Sequence, residues 1–166
     1  MDVRADDPLL TGKELTSLLI GVYVGGGFTE DAIAPSLFAP DAVRARGTLV
    51  TAREDGALAG LVILVSPESK ARRIAKDGEV EIQLLAVRPE SRGRGVGRAL
   101  LSGVLTLARR RGHKHVVLST QEKMVAANAI YLSAGFRRTP DRDWSRGPKS
   151  FLTYALELPE DDEPTV

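Results

Sequence analysis

The chain has no cysteine and only two histidines, His113 and His115. Disulfides, thiolate metal sites and a cysteine-borne acyl intermediate are thereby excluded, and an imidazole-rich metal site has too few ligands, so no metal is expected. An excess of charge of one sign is also missing. The 23 basic and 22 acidic side chains leave a formal net charge of +1, so no global field exists to hold a polyanion, and nucleic acid is not an expected partner. No apolar run approaches the ~20 residues that a membrane-spanning helix needs; the longest lies around Leu18 to Val24. The opening Met1-Asp2-Val3-Arg4 lacks the basic region and apolar core of a secretory leader, and a cytoplasmic protein without membrane contact is the expectation.

What is present suits a modest globular unit. With 166 residues and 43% apolar content, one domain with an ordinary core is expected over residues 1–158, followed by an acidic tail over 159–166. A short strand is expected at Val3 to Ala5. Thr11-Gly12-Lys13-Glu14 then reads as a capping box opening a helix on which Leu15, Leu18, Leu19 and Val22 recur at helical spacing, until Gly25-Gly26-Gly27 breaks it. Short helical turns are expected between there and Gly47. Thr48 to Arg53 and Ala57 to Val65 read as strands joined at Asp55-Gly56, a pair suited to a tight hairpin turn. Ser66 to Gly78 is a polar connection. In Glu79 to Val87 the residues Val80, Ile82 and Leu84 share one face and Glu79, Glu81 and Gln83 the other. The consecutive Leu84-Leu85 interrupts that alternation as a β-bulge would, bending the strand near Leu85.

After Arg88-Pro89, the residues Val96, Leu100, Val104 and Leu107 predict the longest helix, ended by Gly112. A buried strand at His115 to Ser119, a helix over Val125 to Ala134 closed by Gly135, and a last strand over Phe151 to Leu158 complete the order. Strands and helices in this succession describe an α/β (α+β) fold around a mixed, mostly antiparallel central sheet flanked by helices.

Between the strand ending at Val87 and the long helix lies Arg92-Gly93-Arg94-Gly95-Val96-Gly97. Three glycines leave backbone N–H groups open at a helix start, where the dipole favours an anion, and Arg92, Arg94 and Arg98 add positive charge. A pyrophosphate suits that arrangement. Arg98 stands where a P-loop would continue with lysine, and the third glycine comes one residue too early for a dinucleotide fingerprint. For the glycines alone, a flexible turn with solvated arginines remains the alternative.

The segment Glu79 to Phe136 resembles the GNAT superfamily of N-acetyltransferases. Arg92 to Gly97 is similar to the family's [QR]-x-x-G-x-[GA] segment, and Tyr131-Leu132-Ser133-Ala134-Gly135-Phe136 to its Y-x-x-x-G-F ending. The resemblance implies a GNAT-like sheet with a splay between the fourth and fifth strands. It implies acetyl-CoA as co-substrate, with the backbone of Leu85, Ala86 and Val87 pairing with the pantetheine arm like an added strand. The N–H groups of Gly93, Arg94, Gly95, Val96, Gly97 and Arg98 would hold the pyrophosphate beside Arg92. Where many members carry asparagine seven residues before the tyrosine, this chain has Met124; Asn128 is the nearest asparagine to that contact, with a solvent-facing role as its alternative.

Amide formation from a thioester needs a neutral amine, a stabilised carbonyl oxygen and a proton for the departing thiolate. The resemblance places Glu81 as the base, often acting through water, with Glu79 or water alone as substitutes and an ion-paired surface carboxylate as the plain alternative. Tyr131 is the implied acid, or else a ring packed on the sheet. A backbone N–H freed by the bulge near Leu85 would polarise the thioester carbonyl. The expected reaction is direct attack of a primary amine in a ternary complex, since no cysteine can carry the acyl group. The acceptor is a small-molecule or peptide amine, with Glu79, Glu81 and Asp141 favouring a cationic one, and a homodimer is left open. Trp144 is either a wall of the acceptor pocket or a loop anchor. Arg109-Arg110-Arg111 reads as a solvated helix end. A non-catalytic acyl-CoA sensor and a nucleotide-binding regulator are the rival classes.

Overall fold

The computed structural model describes residues 1–160. Most of the acidic tail expected over 159–166 therefore lies outside the described residues. Eight strands form one sheet in the order β1-β2-β3-β4-β5-β8-β6, with β7 pairing to β8. They are β1 Asp2–Ala5, β2 Gly47–Glu54, β3 Ala57–Val65, β4 Glu79–Val87, β5 His115–Gln121, β6 Arg137–Arg138, β7 Trp144–Arg146 and β8 Lys149–Glu157. All pairings are antiparallel except that of β4 with β5. The helices are α1 Gly12–Leu19, α2 Ala34–Leu37, α3 Pro40–Arg44, α4 Val96–Arg110 and α5 Val125–Ser133. The architecture is the mixed, mostly antiparallel α/β sheet that the sequence predicts.

Several elements follow from local chemistry. The Thr11 side chain accepts the Glu14 N–H at 3.1 Å and the Glu14 carboxylate accepts the Thr11 N–H at 3.1 Å, completing the capping box at the start of α1. Helix α1 runs on as a π-helical turn over Ile20–Val24 before the glycines stop it. Asp55 and Gly56 both have positive φ, 50° and 80°, which is what a two-residue turn matched to strand twist requires between β2 and β3. A π turn, the two-residue β6 and the three-residue β7 are too short or too irregular to leave a periodic signal in the sequence.

Each face of the sheet carries its own core. On one side Leu100, Leu101 and Val104 of α4 pack over Val62, Leu64, Ile82 and Leu118. On the other, Leu15, Leu18 and Leu19 of α1 join Phe38, Val43, Leu61 and Ile63. Strand β4 lies in the middle with both faces covered, and so Glu81, on its polar face, is only 1% exposed.

Two irregularities of β4 position the site. Its register against β3 shifts between Leu61 and Ile63, and Leu84 adopts φ 57°, a left-handed conformation rare for a branched side chain. This is the bulge expected at Leu84-Leu85. Beyond the pair Ile82↔Leu118, β4 and β5 no longer pair. The remainder of β4 therefore diverges from β5 and opens the expected splay between the fourth and fifth strands. Among the described residues, no helix is long and apolar enough to cross a membrane.

Candidate active site

A cleft of about 570 Å³ runs from the splay to the start of α4, between that helix and α5. Leu85 and Val87 of β4, Gly95 and the first residues of α4 to Arg98, and Met124 to Ala127 at the start of α5 line it. Gly93 and Gly95 have φ of 79° and 80°, so the chain between the 3-10 turn Pro89–Ser91 and α4 takes a path open to glycine and strained for other residues. None of the backbone N–H groups from Gly93 to Arg98 donates to a described residue. A first helical turn with free donors and no side chain over them is the arrangement that binds phosphate oxygens. Gly97 serves packing as well, because a Cβ there would come within 2.8 Å of Ile130 Cδ1 on α5.

The cations expected around this loop divide. Arg92 and Arg98 line the cleft, together with Lys123, which the sequence did not mark. Arg94 does not, and pairs instead with Glu54 at 3.5 Å. Leu85 and Val87 line the cleft, whereas Ala86 is buried and pairs with Leu61 on β3. Asn128 is held elsewhere. Its amide donates to the Gln121 and Met124 carbonyls at 3.2 and 2.7 Å, and its oxygen accepts from the Tyr154 hydroxyl at 2.7 Å. All its polar atoms are thus engaged in fixing α5 to β5 and β8, and no group of Asn128 lines the cleft. Its side chain is half-buried rather than solvent-facing.

A second cavity, of about 260 Å³, adjoins the first, and Leu85, Met124 and Ala127 line both. Glu81 and Tyr131 each border it. Tyr131 is 5% exposed and packs against Phe136 and Tyr154 at ring separations of 5.9 Å. Its hydroxyl has no hydrogen-bond partner among the described residues. Burial, with smaller effects from Tyr23 and Tyr154, pushes the phenol well above its ordinary pKa, so it stays protonated and able to donate.

The carboxylates are differently occupied. Glu81 Oε1 accepts the N–H groups of Arg73, Ile74 and Ala75 at 3.1, 2.8 and 2.9 Å, and Oε2 accepts from Gln83 Nε2 at 2.5 Å. Four donors, three of them on Oε1 and one of those three shared with Oε2, make Glu81 the anchor of the connection over 66–78. Glu79 is paired by both Arg142 nitrogens at 2.9 Å, and that hydrogen bonding holds its carboxyl below the usual carboxylate range. Asp141, on an exposed turn, does not border the cavity. Of the three acidic residues expected to favour a cationic acceptor, Glu79 is thus paired with an arginine, Glu81 is held by uncharged donors and Asp141 lies away from the cavity.

Residues that the sequence left unmarked supply much of the cavity wall. Arg46, Arg73, Arg146 and Lys149 border it, against Glu30 and Glu81. Trp144 stacks on Phe151 at 3.9 Å with an interplanar angle of 3°, and both rings line the cavity. Trp144 is thus an anchor of β7 and a wall of the pocket together. Arg73 was visible only as one of several cations in a polar connection, and Arg46 carried no signal. Among the described residues, no group of three potential metal ligands is found.

Residues 14–136 match the model of the family described as "Acetyltransferase (GNAT) family". N-acetyltransferase 8B from Rattus norvegicus is 41% identical over 64 residues, covering 37% of this chain and 29% of the relative. Mycothiol acetyltransferase from Clavibacter sepedonicus is 34% identical over 112 residues, covering 67% of this chain and 32% of the relative. The matched parts thus span about a third of the length of these curated relatives. An acetyltransferase from Bacillus subtilis, solved in complex with CoA, shares the fold with a TM-score of 0.67 at 21% identity, over 95% of this chain and 99% of that one.

Proposed function

The chain belongs to the acetyltransferase (GNAT) family, and from that premise we propose that it takes acetyl-CoA as donor and passes the acetyl group directly to a primary amine. The observation that carries this reading is the junction of the two cavities. The unpaired N–H groups of Gly93 to Arg98 end one cleft, and the free Tyr131 hydroxyl borders the adjoining one across Leu85 and Ala127. The fold is shared with a protein solved in complex with CoA, and two relatives are named as acetyltransferases.

In this reading Gly93 to Arg98 hold the pyrophosphate through backbone donors, with Arg92, Arg98 and Lys123 adding charge. The unpaired edge of β4 past Ile82 takes the pantetheine arm as an added strand. The bulge at Leu84-Leu85 frees a backbone N–H to polarise the thioester carbonyl. The amine nitrogen forms a bond to the carbonyl carbon, the carbon–sulfur bond breaks, and Tyr131 gives its proton to the departing sulfur. The amine's own proton leaves to water, because the donors around Glu81 and Glu79 occupy the lone pairs that a base would use. Glu81 then acts by holding the connection that carries Arg73. Asn128 acts only by positioning α5.

The test is calorimetric titration of the protein with acetyl-CoA, followed by CoA release in the presence of a panel of amines. Saturable binding and amine-dependent release are expected. No binding of acetyl-CoA by folded protein would overturn the proposal.

A further inference from the structure

The cavity beyond Tyr131 has the wrong charge for the amines usually written as free cations. Arg46 is half-buried, and its guanidinium reaches only the neutral Gln83 Oε1, at 3.1 Å. Arg73 and Arg146 make no ion pair among the described residues; each instead lies over the Trp144 ring, with separations of 5.7 and 5.4 Å. Contact through an aromatic face leaves the N–H edge of a guanidinium free to take a planar anion. Burial, and then the neighbouring Arg73, push Arg46 below its ordinary pKa, while burial and Arg146 do the same to Arg73. Arg46 and Arg73 thus repel one another, as do Arg73 and Arg146, and the buried Glu81 offsets only part of the charge at Arg73. A cluster of that kind is stabilised by an anion that bridges its members. The fourth cation, Lys149, already has Glu30 at 3.4 Å.

We propose that the acceptor is a small primary amine carrying a carboxylate, held by Arg46 and Arg73 so that its amine lies between Leu84 and Tyr131. The proposal deepens the acetyltransferase reading and rests on it. The space suits a compact molecule: Arg46, Arg73 and Tyr131 all border the one cavity of about 260 Å³. Carboxylate and amine are then bound a few bonds apart, as in an α-amino acid. The stacked Trp144 and Phe151 rings offer an apolar wall for a side group. The same arginines bring a chemical advantage, since a positive field disfavours the ammonium form of a bound amine and favours the nucleophile. A polyamine or another multiply cationic acceptor would meet repulsion instead.

The experiment compares matched pairs of L-amino acids and their carboxamides (leucine, phenylalanine, glutamate) at saturating acetyl-CoA, with acetyl-CoA affinity measured in parallel. The amides have the less basic α-amine, so the comparison is biased against the proposal. A kcat/KM at least about tenfold higher for the acids is expected, carried mainly by KM. In Arg73→Gln and Arg46→Gln the acid-to-amide ratio should collapse towards one. Arg73 keeps the test clear of misfolding, because its side chain is exposed at the cavity mouth and donates no hydrogen bond. Amides acetylated as well as the acids, or a ratio unmoved by Arg73→Gln, would overturn the carboxylate site while leaving acetyl transfer standing. If acetyl-CoA binds but none of these amines turns over, N-acetyl-L-phenylalanine should still raise the melting temperature of wild type more than that of Arg73→Gln, and equal shifts would refute the site. Absence of acetyl-CoA binding would remove the underlying reading instead.

Discussion

Both carboxylate oxygens of Glu81 accept the backbone N–H of Arg73, each at 3.1 Å. A residue in the middle of the sheet and a residue of an irregular connection are thus one assembly. Arg73, which borders the second cavity, is placed there by the buried carboxylate beside it. The role in proton transfer that the family resemblance implies for Glu81 competes, in this chain, with its being surrounded by N–H donors.

Glu81→Gln separates those two roles. The amide keeps the size but points an NH2 group at backbone donors, and a loss of about 1–3 kcal/mol is expected for unsatisfied buried groups. Thermal unfolding should register it, and the acceptor KM should rise while the pH-rate profile keeps its wild-type shape. A rate loss concentrated at low pH, where most amine is protonated, would return Glu81 to the role of base.

At Gly95 the expected effect is on the cofactor. A Cβ there meets nothing within 4 Å, but φ is 80°, so Gly95→Ala should cost about 1–2 kcal/mol of stability through backbone strain alone. Gly95→Glu carries the same strain and adds a negative charge where phosphates approach. Calorimetry should therefore show CoA affinity at least about tenfold weaker in Gly95→Glu than in Gly95→Ala. Equal affinities in the two variants would remove the phosphate from this loop.

The parts legible in the sequence were those decided by neighbours in the chain. The Thr11-to-Glu14 box, the Asp55-Gly56 turn and the doubled leucine of the bulge are local devices, and each forms where its residues stand. The second cavity could not be read this way. Arg46 follows α3 and reaches Gln83 of β4, Arg73 lies in a connection held by Glu81 of β4, and Arg146 ends β7, which is brought alongside through the pairings of β4 with β5, β5 with β8 and β8 with β7. Asn128 and Tyr154 are 26 residues apart, so their hydrogen bond had no local signature. At Glu81 alternation marks a polar position but says nothing of the N–H donors that the preceding irregular connection brings to it.

Asp143 gives a pH dependence with a definite sign. Hydrogen bonds from Arg138 hold its carboxyl down to about 2 from an ordinary 3.8, helped by the Thr153 N–H and hydroxyl and opposed by burial. A depressed folded-state pKa contributes stability that is complete above the unfolded value and is lost as pH falls through the folded one. Asp143→Asn should thus melt lower than wild type at neutral pH, and the gap should narrow as pH falls from about 4 to about 2. A gap independent of pH over that window would show that the carboxylate charge does not matter.

Tyr131→Phe removes one oxygen and leaves the ring contacts with Phe136 and Tyr154 in place. The lost hydroxyl has no partner among the described residues, so its removal leaves no described donor or acceptor unpaired and little change in stability is expected. Chemistry is therefore isolated from packing. If the phenol protonates the departing sulfur, the single-turnover rate should fall by about 10²-fold, within the usual range for acid-base assistance. Acetyl-CoA affinity should change little, since phosphate binding falls to Gly93 to Arg98. The raised pKa of the phenol keeps it protonated through alkaline pH, so any wild-type rate loss on the alkaline limb should not come from Tyr131 and should persist in the variant. Steady-state turnover alone would understate the effect if product release limits it, which is why the single-turnover measurement decides. A single-turnover rate within about twofold of wild type would leave Tyr131 as a packing residue and require the thiolate to depart unprotonated, which a thiol pKa near ~8.5 makes chemically tolerable.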